Sequence, residues 1–223
     1  SMSAAKHRKY DLIVYGASGF TGAHVARYIS SLGERGKEHG LRWAVGGRSE
    51  TKLRTVLESL PDAARSRVGV EVADAGDEAA LRALASTARV LINCTGPFRF
   101  YGRAVVHACV QAGTDYVDIT GEPEFVDGLH LEMDAAAKEA GVLVVPTCGF
   151  DSVPADLGTA FAVEQFGEGG VPSTVESFLQ LHAPRGFVGH FTTFECAVYG
   201  ISSQAQLRAI RRRLRRPRVP AVD

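Results

Sequence analysis

The stretch Asp11-Leu-Ile-Val-Tyr-Gly16-Ala-Ser-Gly19-Phe-Thr-Gly22 decides how this chain is read. A short apolar run ends at Gly16, and three glycines follow at Gly-x-x-Gly-x-x-Gly spacing. The amphipathic segment Ala23–Leu32 comes next. Together they predict a first β-strand, a tight turn and the start of a helix. Such a turn lets backbone N–H groups approach a pyrophosphate at the helix N-terminus. In this reading Gly16 permits the turn, Gly19 the close approach, and Gly22 the packing of helix on strand. The prediction is a dinucleotide-binding protein.

Working outward, short apolar runs alternate with helical patterns across the first two-thirds of the 223 residues. Strands are expected at Leu12–Tyr15, Leu41–Gly46, Val68–Val72, Val90–Asn93, Tyr116–Ile119 and Val142–Val145. Helices are expected at Thr21–Leu32, Ser49–Leu60, Glu78–Ala88, Ala104–Ala112 and Pro123–Ala140. Ser49, Asp77 and Glu122 stand where N-caps or first-turn acids belong, and Gly113 and Gly141 where helices end. This alternation implies right-handed crossovers and an α/β fold with a doubly wound parallel sheet of Rossmann type, with ligands at the carboxyl ends of the strands. After Cys148 the pattern changes. Pro154–Phe166 reads as a helix, Gly167–Pro172 as a loop, Thr174–Leu181 as a strand, and Thr192–Leu214 as a helix broken at Gly200. The expected division is a tag and N-terminal tail at 1–9, a dinucleotide-binding domain at 10–166, and the start of a second α+β domain at 167–223 with a basic tail. Ser1-Met2 reads as a cloning remnant ahead of the native methionine.

Composition narrows the function classes. Apolar residues make up 45% and charged residues 22%, as in ordinary globular domains. The formal net charge is zero, yet Leu207–Asp223 holds seven arginines and one acid. The remainder has 18 basic and 24 acidic residues, a net charge of −6, which does not suggest nucleic-acid binding. The arginine run reads as a solvated helix end or tail, or as a contact for anionic lipid headgroups. Cys94, Cys109, Cys148 and Cys196 are widely spaced and fit a reducing compartment better than disulfides or zinc. The seven histidines show no metal-ligand spacing, so no metal is expected.

The strand ends carry the chemistry. The second strand ends Gly46-Gly-Arg48-Ser49, with Lys52 following, where NAD-binding proteins place an acid for the ribose hydroxyls. A guanidinium beside a hydroxyl suits the 2′-phosphate of NADP, which is expected over NAD. The alternative is a solvated Arg48 at a helix start. Asp74 ends the third strand, as an adenine contact or a helix cap. The loop Cys94-Thr95-Gly96-Pro97 borders the nicotinamide ribose in this architecture, and Cys94 reads as a small buried residue rather than a nucleophile. Tyr101 follows it. Asp118 and Glu122 close the fifth strand as an acid/base pair, substrate anchors or caps. Asp151 and Ser152 follow the sixth strand, facing the cleft and positioned to cap the next helix. None of the six tyrosines has a lysine four residues on, so short-chain dehydrogenase machinery is not predicted.

Taken in order, Gly16-Ala-Ser-Gly-Phe-Thr-Gly22, Ala44-Val-Gly-Gly-Arg48, Asn93-Cys-Thr-Gly-Pro97, Tyr101-Gly102, Asp118-Ile-Thr-Gly-Glu122 and Gly149-Phe-Asp-Ser-Val-Pro-Ala-Asp156 closely resemble the saccharopine dehydrogenase-like oxidoreductases, which include mycobacterial trans-acting enoyl reductases. The resemblance runs from about Tyr10 to about Leu207. It implies NAD(P) held by Gly16, Ser18, Gly19, Phe20, Thr21, Gly22, Arg48 and the Cys94–Pro97 loop, and a second domain for substrate binding and homodimerisation. Members are longer, so the chain reads as an N-terminal portion. No catalytic residue is carried over. The expected activity is NADPH-dependent reduction of a C=C or C=N bond in an apolar or lipid-like small molecule. Tyr101 or Asp118 is the proton donor in that reading, and a non-catalytic NADP-binding sensor or scaffold is its rival. The expected location is intracellular, cytoplasmic or at a membrane or lipid-droplet surface.

Overall fold

A computed structural model describes residues 8–34, 40–166, 170, 172–184, 186 and 190–214. The expectations for the N-terminal tag, for Gly167–Gly169 and Val171 of the loop, and for Arg215, Arg216 and Arg218 of the basic tail lie outside the described residues.

Strands β1 (Tyr10–Tyr15), β2 (Trp43–Gly47), β3 (Gly69–Val72), β4 (Ala88–Asn93), β5 (Asp115–Asp118) and β6 (Val144–Val145) form one parallel sheet in the order β3-β2-β1-β4-β5-β6. This is the doubly wound Rossmann arrangement. The order reverses between β1 and β4, so their carboxyl ends open a crevice. Register pairs Tyr15 of β1 with Gly46 on one side and Asn93 on the other. The glycine turn therefore leaves the sheet between the ends of β2 and β4.

Both faces are covered, which is why β1 and β2 are almost continuously apolar. Helices α1 (Phe20–Glu34) and α2 (Glu50–Glu58) cover one face, with Ala26, Ile29, Leu53 and Val56 packed on Val14, Trp43 and Val45. A short helix α3 (Asp62–Arg65) follows α2. Helices α4 (Glu78–Ser86), α5 (Phe98–Ala112) and α6 (Pro123–Ala140) cover the other, around Ile13, Leu91, Val106, Tyr116 and Phe125. Ser49 and Asp77 cap α2 and α4, and Gly113 and Gly141 end α5 and α6.

Beyond the sheet come α7 (Val153–Phe166), α8 (Phe191–Ser202) and α9 (Gln204–Leu214). Helix α9 returns to α6, burying Leu207 and pairing Arg211 with Asp127 at 2.8 Å. Three expectations are corrected. Thr174–Leu181 forms no strand: no described strand hydrogen-bonds to it, and Phe178, Leu179 and Leu181 are exposed. With no partner ladder, the exposed backbone groups of this segment are left to water rather than to strand hydrogen bonds. The helical break falls at Ser203, and Gly200 lies inside α8. Helix α5 starts at Phe98, six residues before the predicted Ala104, so Tyr101 belongs to a helix rather than a loop.

Candidate dinucleotide site

The turn after β1 is built on two steric constraints. Gly16 has φ 79°, a conformation that side chains rarely adopt, and a Cβ there would strike the Thr95 hydroxyl. A Cβ on Gly22 would strike the carbonyl oxygen of Gly16, with the Ala17 Cα 2.8 Å away. The turn is thus pressed against the β4–α5 loop on one side and its own helix on the other. Gly16 N–H and Ala17 N–H both donate to the Gly46 carbonyl, at 2.9 and 3.2 Å, and Gly19 N–H donates to the Gly16 carbonyl at 3.0 Å. Ser18, Gly19, Phe20 and Thr21 are left exposed. The first-turn amides of α1 have no intrahelical acceptors, and the helix dipole favours negative charge there.

At the β2 end, Arg48 is exposed and makes no ion pair among the described residues. Ser49 Oγ accepts from Lys52 N–H at 3.5 Å and caps α2. At the β3 end, Asp74 Oδ1 accepts from Gly76 N–H at 2.8 Å, and the Asp74 carbonyl accepts from Asp77 N–H at 3.0 Å. Asp74 therefore shapes the turn before α4, while Asp77 caps it. Tyr15, whose hydroxyl donates to the Ala73 carbonyl at 3.1 Å, links these groups. Burial pushes its phenol up to about 12, with Asp74 raising it and Arg48 lowering it.

The ends of β4, β5 and β6 are tied by a buried polar chain. Asn93 Nδ2 donates to the Tyr116 hydroxyl (3.1 Å), which donates to Asp118 Oδ2 (2.7 Å). Asn93 Oδ1 accepts from Thr95 N–H (2.9 Å). Asp118 Oδ1 accepts from the N–H groups of Thr120 (3.0 Å) and Thr147 (2.9 Å). Thr120 Oγ1 accepts from Glu122 N–H (3.1 Å). Asp118 is 1% exposed. Burial raises it above its ordinary value, while these hydrogen bonds oppose the shift. With both oxygens already accepting, it organises three loops rather than meeting the cleft. Cys94 lies in the same loop system. Burial, helped by Asp118, pushes its thiol up to about 12, as expected of a structural cysteine rather than a nucleophile.

The sequence reads Glu122 as a cap for α6, a substrate anchor or part of an acid/base pair. Its backbone does occupy the N-cap position of α6, but its side chain makes no cap there. Instead it crosses to α5. Its carboxylate accepts from Phe98 N–H (2.7 Å), Arg99 N–H (3.3 Å) and Arg99 Nε (2.9 Å), and it is 3% exposed. Pro97, the N-cap residue of α5, offers no capping side chain.

A cleft of about 200 Å³ opens between Thr21 of α1 and the loops after β5 and β6, lined by Ile119, Thr120, Gly149, Phe150, Asp151 and Ser152. Thr21 was anticipated, and Asp151 and Ser152 were expected to face the cleft. Ile119, Thr120, Gly149 and Phe150 were missed as site residues, though their places at the ends of parallel strands could have flagged them. Tyr101, 42% exposed on α5, is not among the lining residues.

These features fit a dinucleotide. A side chain at Gly16 or Gly22 would collide with the groups that shape the turn, and the Thr95 hydroxyl is buried beside Gly16 without a hydrogen-bond partner among the described residues. The exposed Arg48 guanidinium stands at the β2 end, without an ion pair among the described residues. Among the described residues no group of His, Cys, Asp and Glu is arranged to hold a metal.

The sequence matches the saccharopine dehydrogenase NADP-binding domain over residues 12–145. It is 39% identical over 215 residues to a rat saccharopine dehydrogenase-like oxidoreductase, covering 93% of this chain and 50% of the relative. It is 43% identical over 212 residues to a Caenorhabditis elegans lipid droplet localized protein, covering 92% and 49%. Over 153 residues it is 39% identical to a Mycobacterium tuberculosis protein named "Putative trans-acting enoyl reductase", covering 69% and 35%. The chain thus spans about half the length of the two longer-matching relatives. Among solved structures, yeast saccharopine dehydrogenase (L-Glu forming) superposes with a TM-score of 0.55 at 16% identity, over 70% of this chain and 31% of that one, a likeness of fold.

Proposed function

This chain belongs to the saccharopine dehydrogenase family of NADP-binding oxidoreductases, and from that premise we propose that it takes part in NADPH-dependent reduction of a C=C or C=N bond in an apolar or lipid-like molecule. The carrying observation is the convergence of the glycine cradle with the Thr21–Phe150 cleft. Bound in the cradle, the reduced nicotinamide supplies the hydride. Gly16, Ser18, Gly19, Phe20, Thr21 and Gly22 hold the pyrophosphate, the Cys94–Pro97 loop flanks the ribose beyond it, and Arg48 and Ser49 receive the 2′-phosphate. Asp74 shapes the adenine end.

The cleft's own polar side chains are those of Thr21, Thr120, Asp151 and Ser152. Asp118 is engaged as an acceptor and Tyr101 lies outside the lining, so these four are this chain's candidates for the protonating group. Exposed Phe150, Leu157 and Phe161 give the mouth and the neighbouring α7 an apolar character that supports an apolar substrate. The mycobacterial relative named as an enoyl reductase favours a C=C bond.

A lipid surface as the place of action is supported by α8 and α9. Phe191, Phe194, Val198 and Ile201 recur at helical spacing and are exposed, and α9, which contains no acid, adds Arg208, Arg212 and Arg213. The nematode relative's lipid-droplet name agrees. No helix among the described residues is long and apolar enough to cross a membrane.

The test is equilibrium binding of NADPH and NADH to the full-length protein, followed by NADPH oxidation across enoyl-thioester and imine panels. Turnover of a long-chain enoyl substrate supports the reading. Absence of binding to either cofactor overturns it, and turnover confined to short polar imines overturns the lipid-like assignment.

A further inference from the structure

Helix α8 touches the dinucleotide site at two places that lie beyond the family match. At its N-cap, the His190 ring stacks on Phe20, the first residue of α1, with centroids 5.2 Å apart and planes at 23°. Two residues later, the Thr192 methyl lies 3.4 Å from the position a Cβ on Gly96 would take. The N-terminal end of α8 thus bridges the glycine turn and the β4–α5 loop, the two segments between which a dinucleotide lies in this fold.

The inner face of α8 is fastened by a largely buried ion pair. Arg99, held by Glu122 at 2.9 Å and by Glu124 at 3.5 Å, reaches the Tyr199 carbonyl and the Ser203 hydroxyl, each at 3.4 Å. Its guanidinium lies 5.3 Å from the Tyr199 ring centroid, and Phe100 meets the same ring edge-on at 5.1 Å. The Cys196 thiol donates to Glu122 Oε1 at 3.4 Å. Thr192, Cys196, Tyr199 and Ser203 thus line one side of the helix, opposite the exposed Phe191, Phe194, Val198 and Ile201. The carboxylate that fastens α8 is the same one that caps α5 behind the Gly96–Pro97 loop.

We propose that α8 is the outer wall of the cofactor cleft, with His190 and Thr192 as cofactor-site residues and Glu122–Arg99 as the pair that positions them. This rests on dinucleotide binding at the glycine turn. It adds that a segment beyond the matched domain completes the site. Because His190 bears on the turn common to both cofactors, its removal weakens NADPH and NADH alike, unlike a change at the 2′-phosphate end.

Hydrogen exchange on the full-length protein, with and without NADPH, tests it. The expected result is slower exchange with NADPH at both residues 20–23 and residues 191–199. His190→Ala weakens NADPH and NADH equally, by about three- to tenfold, the scale of one aromatic stacking contact. Glu122→Gln abolishes the NADPH-linked protection of α8 while that of residues 20–23 persists, a separation that general destabilisation does not produce. Protection at 20–23 without any at 191–199 overturns the proposal, as does tighter NADPH binding in His190→Ala, which would make α8 an obstruction. Protection at neither segment overturns dinucleotide binding itself, and the wall with it.

Discussion

Replacing Arg48 by alanine should convert an NADPH-preferring protein into one that hardly distinguishes NADPH from NADH. Arg48 is exposed at the end of β2 and has no ion pair among the described residues, so its loss breaks no described ion pair. A charge-assisted contact to phosphate contributes about 1.5–3 kcal/mol. Solvent exposure places Arg48 at the lower end, since two unit charges 4 Å apart interact by about 4 kcal/mol near a protein surface and about 1 kcal/mol in water. The expected loss is about 1.5 kcal/mol, close to tenfold in NADPH affinity, with NADH changed by less than about twofold. Arg48→Lys keeps the charge but not the planar fork and falls between the two. Titrating the fluorescence of each reduced cofactor gives both constants directly. Screening supplies a second reading: the Debye length falls from about 10 Å at 0.1 M salt to 3 Å at 1 M, so the wild-type preference shrinks with salt and the variant's is nearly flat. Equal losses for the two cofactors, or a preference indifferent to salt, would refute the assignment of Arg48 to the 2′-phosphate.

Three further outcomes are expected. Gly22→Ala drives a Cβ into the Gly16 carbonyl, a backbone group that moves only if the turn opens. It should cost about 1–3 kcal/mol and remove cofactor binding in a calorimetric titration, whereas Gly121→Ala, with open space around it, should do neither. Glu122→Ala leaves Phe98 N–H uncapped and Arg99 with Glu124 as its remaining carboxylate partner among the described residues, so stability should fall by about 3–5 kcal/mol, lowering the urea midpoint by about 2 M; an unchanged midpoint would show that the α5 cap carries no weight. Alkylation followed by mass spectrometry should label exposed Cys148 before Cys94 or Cys109, and because burial lifts the last two thiols to about 12, their rates should still climb with pH beyond the range where a free thiol levels off.

The six strands and the helices between them were legible because a parallel sheet buried on both faces demands apolar runs, and its crossover helices demand caps and C-terminal glycines. The glycine spacing was legible for the same reason: Gly16 and Gly22 occupy places where a Cβ meets backbone, a constraint written one residue at a time. Helix boundaries set from a distance were not legible. Helix α5 starts at Phe98 because a carboxylate 24 residues later in the chain supplies its cap, and no local signal announces that. The Thr174–Leu181 segment shows the converse, a strand-like pattern with no described partner to pair with.

By itself the sequence determined the sheet, its direction and the dinucleotide turn, since each follows from local sterics and short-range periodicity. Only the tertiary structure decided what the acids do. Asp118 and Glu122 look equivalent in sequence, as two carboxylates closing one strand. In the fold, Asp118 accepts three hydrogen bonds and binds loops together, while Glu122 caps one helix and fastens another through Arg99. A carboxylate's role is set by which donors reach its two oxygens, and those donors come from residues up to 29 positions away in the chain. That is information carried by packing and not by neighbouring letters.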